Sequence, residues 1–205
     1  LAKHMTVESF DAPIFASICS ANLNTALARL SKFKPLIGPM VLDIHQSDSE
    51  TALTISCYGH QGQLPSSLSL TELVFFTQLS RLATRELIRP IEITLPELPQ
   101  NIEDYEAYFG CKMKVGNKVS MRFNAEDANR PFMTQNAAMW DFFEAKLNQK
   151  LADLDSAANT VDRVRAVLLE ALPSGESSIE YVAEKLAMSK RTLQRKLTAE
   201  AETYQ

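Results

Sequence analysis

The feature that most constrains the fold is a pair of short amphipathic helices predicted within residues 178–205, near the C-terminal end of the sequence. The first has an apolar stripe with a spacing of three and four residues, at Ile179, Val182, Ala183 and Leu186. In the second, Leu193 and Leu197 lie four residues apart and can pack against that stripe. Between the two, Ser189 is a good N-cap, because its hydroxyl can accept a hydrogen bond from an unpaired amide in the next helical turn. The pattern predicts two packed helices joined by a short turn.

The second predicted helix carries its positive charges on the side away from its leucines. At about 100° of rotation per residue, the polar side chains that point away from Leu193 are Arg191, Gln194, Arg195 and Thr198. Four cations lie between Ser189 and Leu197 with no acidic residue among them, although the whole chain has a net charge of −4. A charged helical face is usually only solvated, but this cluster opposes the charge of the chain. We therefore interpret it as a face that reads the DNA major groove, where arginine can pair with guanine and glutamine with adenine.

The DNA-binding residues predicted from this face divide by role. Lys190 and Lys196 would hold phosphates, while Arg191, Gln194 and Arg195 would contact base edges. The complete predicted set is Ser189, Lys190, Arg191, Thr192, Gln194, Arg195 and Lys196. The alternative is a ligand- or protein-binding module in which the two helices are purely structural. Salt dependence separates the two hypotheses, because DNA binding should weaken steeply as salt rises.

The run A-x-x-L-x-M-S-x-R-x-L-Q-R-x-L, from Ala183 to Leu197, resembles the first helix-turn-helix of transcription regulators of the AraC/XylS type. In that family, base-edge contacts come from the positions that match Arg191, Gln194 and Arg195. The resemblance implies a bacterial-type, cytoplasmic regulator whose partners are operator DNA and a small-molecule effector.

The same resemblance assigns the neighbouring segments. Thr160–Leu172 becomes the first helix of the DNA-binding domain, and A-E-A-E-T-Y-Q at 199–205 is similar to the segment that opens a linking helix. Ala187 and Ala201 stand where the family usually has glycine; if either position needs a positive φ, alanine costs about 1 kcal/mol. The family's second helix-turn-helix does not follow Gln205 and the sequence does not begin with Met, so we expect a fragment of a longer protein. Its DNA binding is then expected to be weak and strongly salt-dependent.

Composition limits the remaining possibilities. With 205 residues and 45% apolar content, the chain can form one or two globular domains with a real core. No apolar run reaches the ~18 residues that span a bilayer, and no signal peptide is recognisable. Cys19, Cys57 and Cys111 are odd in number and widely spaced, which favours a reducing compartment over a disulfide framework or a zinc site. A pI near 5.5 argues against a protein that coats nucleic acid generally.

The region 1–156 is predicted to be an α+β domain, with helices packed on a small mixed sheet, followed by an all-α helix-turn-helix unit at 157–205. The predicted helices are 11–20, 23–34, Thr71–Ile88, Asn101–Phe109 and Thr134–Leu154. The predicted strands are Met40–Gln46, Ala52–Tyr58, Ile91–Leu95, Lys112–Val115 and Lys118–Phe123. The first two strands should form a hairpin, and Gly116-Asn117 predicts a second hairpin between the last two. Residues 155–160 are predicted to be a linker or a helix break.

This order of elements resembles the arabinose-binding-like effector domain of one branch of AraC-type regulators. The residues that carry the resemblance are L-N-T-A-L-A-R-L at Leu23–Leu30, Y-x-x-Y-F-G-C at Tyr105–Cys111, and the run through Phe123 and Pro131. The resemblance implies a small-molecule effector, whose identity and pocket residues the sequence does not give.

Catalysis is not expected in this domain. His4, His45 and His60 are scattered, and the sequence has no catalytic or phosphate-binding motif. Cys57-x-x-His60 supplies two residues and does not complete a site, and Cys111 is expected to fill the core. We therefore predict no enzyme activity, no metal and no cofactor.

One helical series leaves the oligomeric state open. Trp140, Phe143, Leu147, Leu151 and Leu154 repeat at intervals of three and four residues over two heptads. Packing within the domain is the favoured interpretation, because fewer than three heptads give weak support for a coiled coil. The alternative is a helix that forms a homodimer, as reading of paired DNA half-sites would require.

Overall fold

The computed structural model describes residues 10–59, 62–157, 160–172, 175–200 and 202–204. The chain divides into two compact units, Leu1–Leu151 and Ala152–Gln205. The first combines helices with a sheet, and the second is helical. None of the described helices combines the length and hydrophobicity that crossing a bilayer requires.

The first unit contains a five-stranded mixed sheet, so the predicted α+β class is confirmed. Its strands are β1 (Met40–Gln46), β2 (Glu50–Cys57), β3 (Glu92–Leu95), β4 (Met113–Val115) and β5 (Val119–Asn124). They lie side by side in the order β1-β2-β5-β3-β4, and only β3 and β4 run parallel. Its helices are α1 (Ala12–Ile18), α2 (Leu23–Phe33), a 3-10 turn (Lys34–Leu36), α3 (Ser66–Thr84), α4 (Ile102–Phe109), α5 (Ala125–Asn129) and most of α6 (Ala137–Ala157).

The predicted β1–β2 hairpin is present, whereas the hairpin predicted around Gly116-Asn117 is wrong. β5 pairs with β2 and β3, and β3 separates it from β4. The Gly116 amide donates a hydrogen bond to the Leu95 carbonyl oxygen at 2.9 Å, so the turn carries the chain past the end of β3. Burial explains the choice of strand positions: β5 buries Met121 and Phe123 completely and suits the centre of the sheet, while Val115 on β4 is 69% exposed and suits an edge.

Helix α3 differs from its predicted span, Thr71–Ile88, at both ends. It begins directly after Pro65 and ends at Thr84, six residues before the proline expected to stop it. The end is set by Arg85, which takes the left-handed conformation at φ 59° and donates its amide to the Arg81 carbonyl oxygen at 2.9 Å. Glycine or asparagine usually occupies this capping position. Because arginine stands there, the sequence did not predict that the helix ends at this point.

Helices α2 and α3 pack on one face of the sheet and form the main core with it. Completely buried side chains from α2, α3, β2, β3 and β5 meet there, including Leu27, Leu53, Phe76, Ile93 and Phe123. The opposite face is polar: Thr94 and Ser120 hydroxyls lie 2.5 Å apart, and the Arg122 guanidinium contacts the carboxylates of Glu50 and Glu92. The alternation along β2 and β5 follows from the two-residue period of a strand.

Helix α6 packs within the first unit through its apolar series, so the favoured interpretation, packing within the domain, is confirmed. Trp140 and Leu147 are buried with Phe33, and Phe143 and Leu151 pack against the same cluster. The Arg29 guanidinium carbon lies 3.5 Å from the centre of the Trp140 ring. Leu154, the last member of the series, is 43% exposed. Homodimer formation through this helix stays a prediction.

Residues 155–157, the first half of the segment predicted to be a linker or a helix break, are helical. Helix α6 continues to Ala157, because no glycine or proline interrupts the sequence before that point. Residues 158 and 159 lie outside the described residues, and α7 begins at Thr160. The domain boundary predicted after residue 156 stays a prediction beside the division of the fold after Leu151.

Among the described residues, three helices lie wholly within the second unit, close to their predicted bounds: α7 (Thr160–Ala171), α8 (Ile179–Lys185) and α9 (Lys190–Ala199). Their shared core is Val164, Val182, Ala183, Leu193 and Leu197. The Glu200 carboxylate accepts hydrogen bonds from the Thr160 amide at 2.7 Å and the Val161 amide at 2.9 Å. These bonds lower the pKa of the Glu200 carboxyl and close the unit by capping α7 from the end of α9.

The segment predicted to open a linking helix begins with Ala199, the last residue of α9, and its described residues after Ala199 are not helical. Residues 202–204 have no regular secondary structure, and Ala201 and Gln205 lie outside the described residues. The Tyr204 hydroxyl donates to the Ser177 carbonyl oxygen at 2.8 Å, and its ring packs against the core of the second unit. These contacts hold Tyr204 against the core of the second unit.

Candidate DNA-binding helix

The turn between α8 and α9 is defined by hydrogen bonds at both helix ends. Met188 donates its amide to the Ala183 carbonyl oxygen at 2.8 Å, and Ala187 donates to Glu184 at 2.9 Å. This pair of bonds is the Schellman arrangement, which places the residue after the C-cap in the left-handed region. Ala187 accordingly has φ 54°. The position is one of the two at which alanine replaces the usual glycine, and it does require a positive φ.

Replacing Ala187 with glycine is expected to stabilise the second unit by about 0.5–1 kcal/mol, because glycine adopts a positive φ without the steric cost of a Cβ. Urea unfolding of the second unit, monitored by hydrogen exchange of its amides, measures the change in the free energy of unfolding. Ala183→Gly is the matched control, since the same substitution inside α8 should destabilise by at least ~1 kcal/mol. Destabilisation by both glycines would mean that Ala187 is not strained.

Helix α9 begins where the sequence predicted. The Ser189 hydroxyl accepts a hydrogen bond from the Thr192 amide at 3.1 Å, and the two hydroxyl oxygens lie 2.8 Å apart. Ser189 is therefore an N-cap, and Thr192 completes the cap. Both were predicted to contact DNA, and in the structure both hydroxyls already take part in starting the helix.

The buried side of α9 fixes the direction of its outer side. Leu193 and Leu197 are 0% and 3% exposed, and they pack against Val164 and Val182. The outer side carries the remaining predicted residues, and all of them are exposed: Lys190, Arg191, Gln194, Arg195 and Lys196. Within the part of the chain that the structure describes, Arg191 and Arg195 have no ion-pair partner. Their guanidinium groups are therefore accessible for contacts with another molecule.

Lys190 has an acidic partner that lies outside the segment from Ser189 to Leu197. Its Nζ donates to the Glu180 carboxylate of α8 at 2.5 Å, and this bond lowers the pKa of Glu180. The partner was missed because it lies ten residues earlier and reaches Lys190 only when the two helices pack. The side chains of the pair are 50% and 63% exposed, and ion pairs of this kind contribute little stability. A phosphate could therefore replace Glu180 as the partner of Lys190.

The three cysteines of the first unit are all free. His4 and His60 lie outside the described residues, so the pair Cys57-x-x-His60 is not described as a whole. Burial, with Glu106 and Glu92 nearby, raises the pKa of the Cys111 thiol to about 11, so the thiol stays protonated. Cys111 packs against the main core, as expected for a residue that fills space. Among the described residues, no three metal-ligating side chains gather at one place.

Known proteins share this architecture. The fold is similar to that of the transcriptional regulator CdpR from Pseudomonas aeruginosa, with a TM-score of 0.52 at 18% identity, over 99% of this chain and 67% of that chain. The model of the N-terminal arabinose-binding domain of AraC transcription regulators matches residues 1–132. The chain therefore belongs to the AraC family of transcription regulators, as the N-terminal resemblance indicated. No curated protein matches the sequence significantly.

Proposed function

We propose that the chain is the sensing and first DNA-reading part of a sequence-specific transcription regulator controlled by a small-molecule effector. The observation that carries this proposal is the outer face of α9. Arg191, Gln194 and Arg195 are exposed there, while the burial of Leu193 and Leu197 fixes their direction. An exposed basic helix that packs through its apolar side on a preceding helix can enter the major groove.

The residues of this face have different roles in DNA recognition. Lys190 and Lys196 hold phosphates, which sets the position of the helix on the duplex without reading sequence. Arg191 and Arg195 pair with guanine edges and Gln194 with an adenine edge, because these side chains match those edges with two hydrogen bonds. Ser189 and Thr192 hold the first turn of α9 in place, next to the DNA backbone that they would contact.

Effector control would act by population shift. A ligand in the N-terminal domain favours one arrangement of the protein, and the shift equals the difference in its affinity for the competing arrangements. Reading of two half-sites by a homodimer is part of the same proposal, since paired readers match paired groove segments. The proposed place of action is the cytoplasm, where a bacterial-type regulator meets its DNA.

Selection from a random duplex library with the 205-residue chain tests the proposal. We expect an enriched sequence whose affinity for the chain falls at least ~10-fold between about 50 mM and 200 mM salt, because phosphate contacts release counterions. A chain in which the two helices are purely structural would enrich no sequence and show no such salt dependence. The unselected library serves as the control for non-specific binding.

A further inference from the structure

We propose that a cleft between α3 and α4 is a binding site for a small molecule that joins a cationic amine to a short apolar body. The cleft has a volume of about 390 Å³, within the range of small-molecule sites. Both helices belong to the first unit. Its role as an effector site rests on the proposed function. Its ability to bind an amine rests only on the residues and charges of the cleft.

The cleft has an apolar floor and a polar rim. Leu70 and Val74 of α3 line it, and each is 7% exposed. Tyr105 and Tyr108 of α4 are half-buried and contribute their rings, while Asp104 is exposed in the first turn of α4. A ligand that lies on the floor therefore covers hydrocarbon and keeps its polar end beside the carboxylate.

The α4 wall of the cleft is held in place without a ligand. Arg81 of α3 donates from Nη2 to the Tyr108 carbonyl oxygen at 3.0 Å and from Nε to the Ile88 carbonyl oxygen at 2.9 Å. Its guanidinium also lies 4.8 Å from the centre of the Tyr108 ring. The Tyr108 hydroxyl donates to the Gln78 side chain at 3.1 Å. A preformed wall lowers the ordering cost of binding.

Charge selects the class of ligand. Among the described residues, Asp104 is the one charged residue that lines the cleft, and none of them forms an ion pair with its carboxylate. The remaining lining groups are apolar, hydroxyl or amide. An ammonium group would donate a charge-assisted hydrogen bond to the Asp104 carboxylate and make a favourable contact with the half-buried Tyr105 ring, whereas a carboxylate would be repelled. The site therefore favours amines over acids and alcohols of the same length.

A structural role for Asp104 makes a different prediction. Acids in the first turn of a helix stabilise its positive end, and α4 has two of them, Glu103 and Asp104. Only Asp104 lines the cleft. Glu103 is therefore a matched control, because it shares the helical turn and the charge but not the cleft.

The test is a titration of the 205-residue chain with n-hexylammonium, in which the amide chemical shifts of the protein are measured at each ligand concentration. We expect saturable shifts at α3 and α4 around the cleft, and weaker binding of n-hexanol and n-hexanoate. Asp104→Asn should weaken binding of n-hexylammonium about 10-fold or more, since it removes a charged hydrogen-bond partner. Glu103→Gln should change the affinity by less than about twofold.

Three results would overturn the site: shifts that avoid the cleft, equal binding of the alcohol or the acid, or equal losses from the Asn and Gln variants. Circular dichroism of both variants checks that the fold is retained. The titration contains no DNA, so failure of the amine to bind leaves DNA reading by α9 untouched. If n-hexylammonium binds at the cleft while the DNA selection fails, the site holds and the regulator proposal falls.

Discussion

Replacing Arg195 with alanine is expected to lower discrimination between the selected DNA sequence and a random duplex by about 1–3 kcal/mol, or roughly 5- to 150-fold. The side chain is exposed on the outer face of α9 and has no ion-pair partner among the described residues. Binding to a base edge therefore breaks no contact of the folded unit. Loss of the guanidinium removes two hydrogen bonds from one base and should relax sequence preference at that base alone.

Anisotropy titrations with the selected duplex, its single-base variants and a random duplex measure this change. Lys190→Ala should instead weaken binding to all duplexes by a similar factor, because a phosphate contact carries no sequence information. Its effect should also be the smaller one, since DNA must displace Glu180 from Lys190.

Arg165→Ala is the control for loss of one positive charge. This arginine lies on α7, and its Nη1 is 3.7 Å from the Asp162 carboxylate. It should leave sequence preference unchanged. If Arg195→Ala kept both affinity and preference, α9 would not be the reading helix.

The DNA-binding face could be predicted from the sequence because its determinants are local. The leucine spacing and the rotation per residue fix which side of α9 is buried, and Ser189 marks where the helix starts. The sequence also predicted a cost for alanine at position 187 if that position requires a positive φ. A Schellman turn requires a positive φ at one known position, the residue after the C-cap. Each of these features depends on residues that lie within a few positions of one another in the sequence.

Features that depend on packing were not predictable in the same way. The turn at Gly116-Asn117 has the composition of a hairpin, yet β5 pairs with two strands that are distant in the sequence. Lys190 meets Glu180, and Glu200 meets the first amides of α7, only after the helices pack. The α3–α4 cleft joins segments about thirty residues apart, and neither helix shows a binding motif by itself. In each case the partner is chosen by burial of apolar surface, which a local pattern does not encode.

Replacing Leu193 with alanine is expected to destabilise the second unit by about 2–5 kcal/mol, the largest effect among these predictions. The side chain is 0% exposed and sits between α9 and the other two helices, so the substitution leaves a cavity where all three meet. A small helical unit has only a few kcal/mol of stability to lose. The unit should therefore be largely unfolded, with DNA binding lost although every predicted contact residue is still present.

Hydrogen exchange measures this loss, because amides of α8 and α9 should exchange much faster while those of β2 and β5 keep their protection. Leu169→Ala is the matched control: Leu169 lies on α7 in the same unit but is 75% exposed, so its loss should cost less than about 0.5 kcal/mol. Unchanged exchange in α9 of the Leu193 variant would mean that this leucine does not anchor the helix. The outward direction of Arg191, Gln194 and Arg195 would then lose its main structural cause, because burial of the opposite side orients α9 on the other two helices.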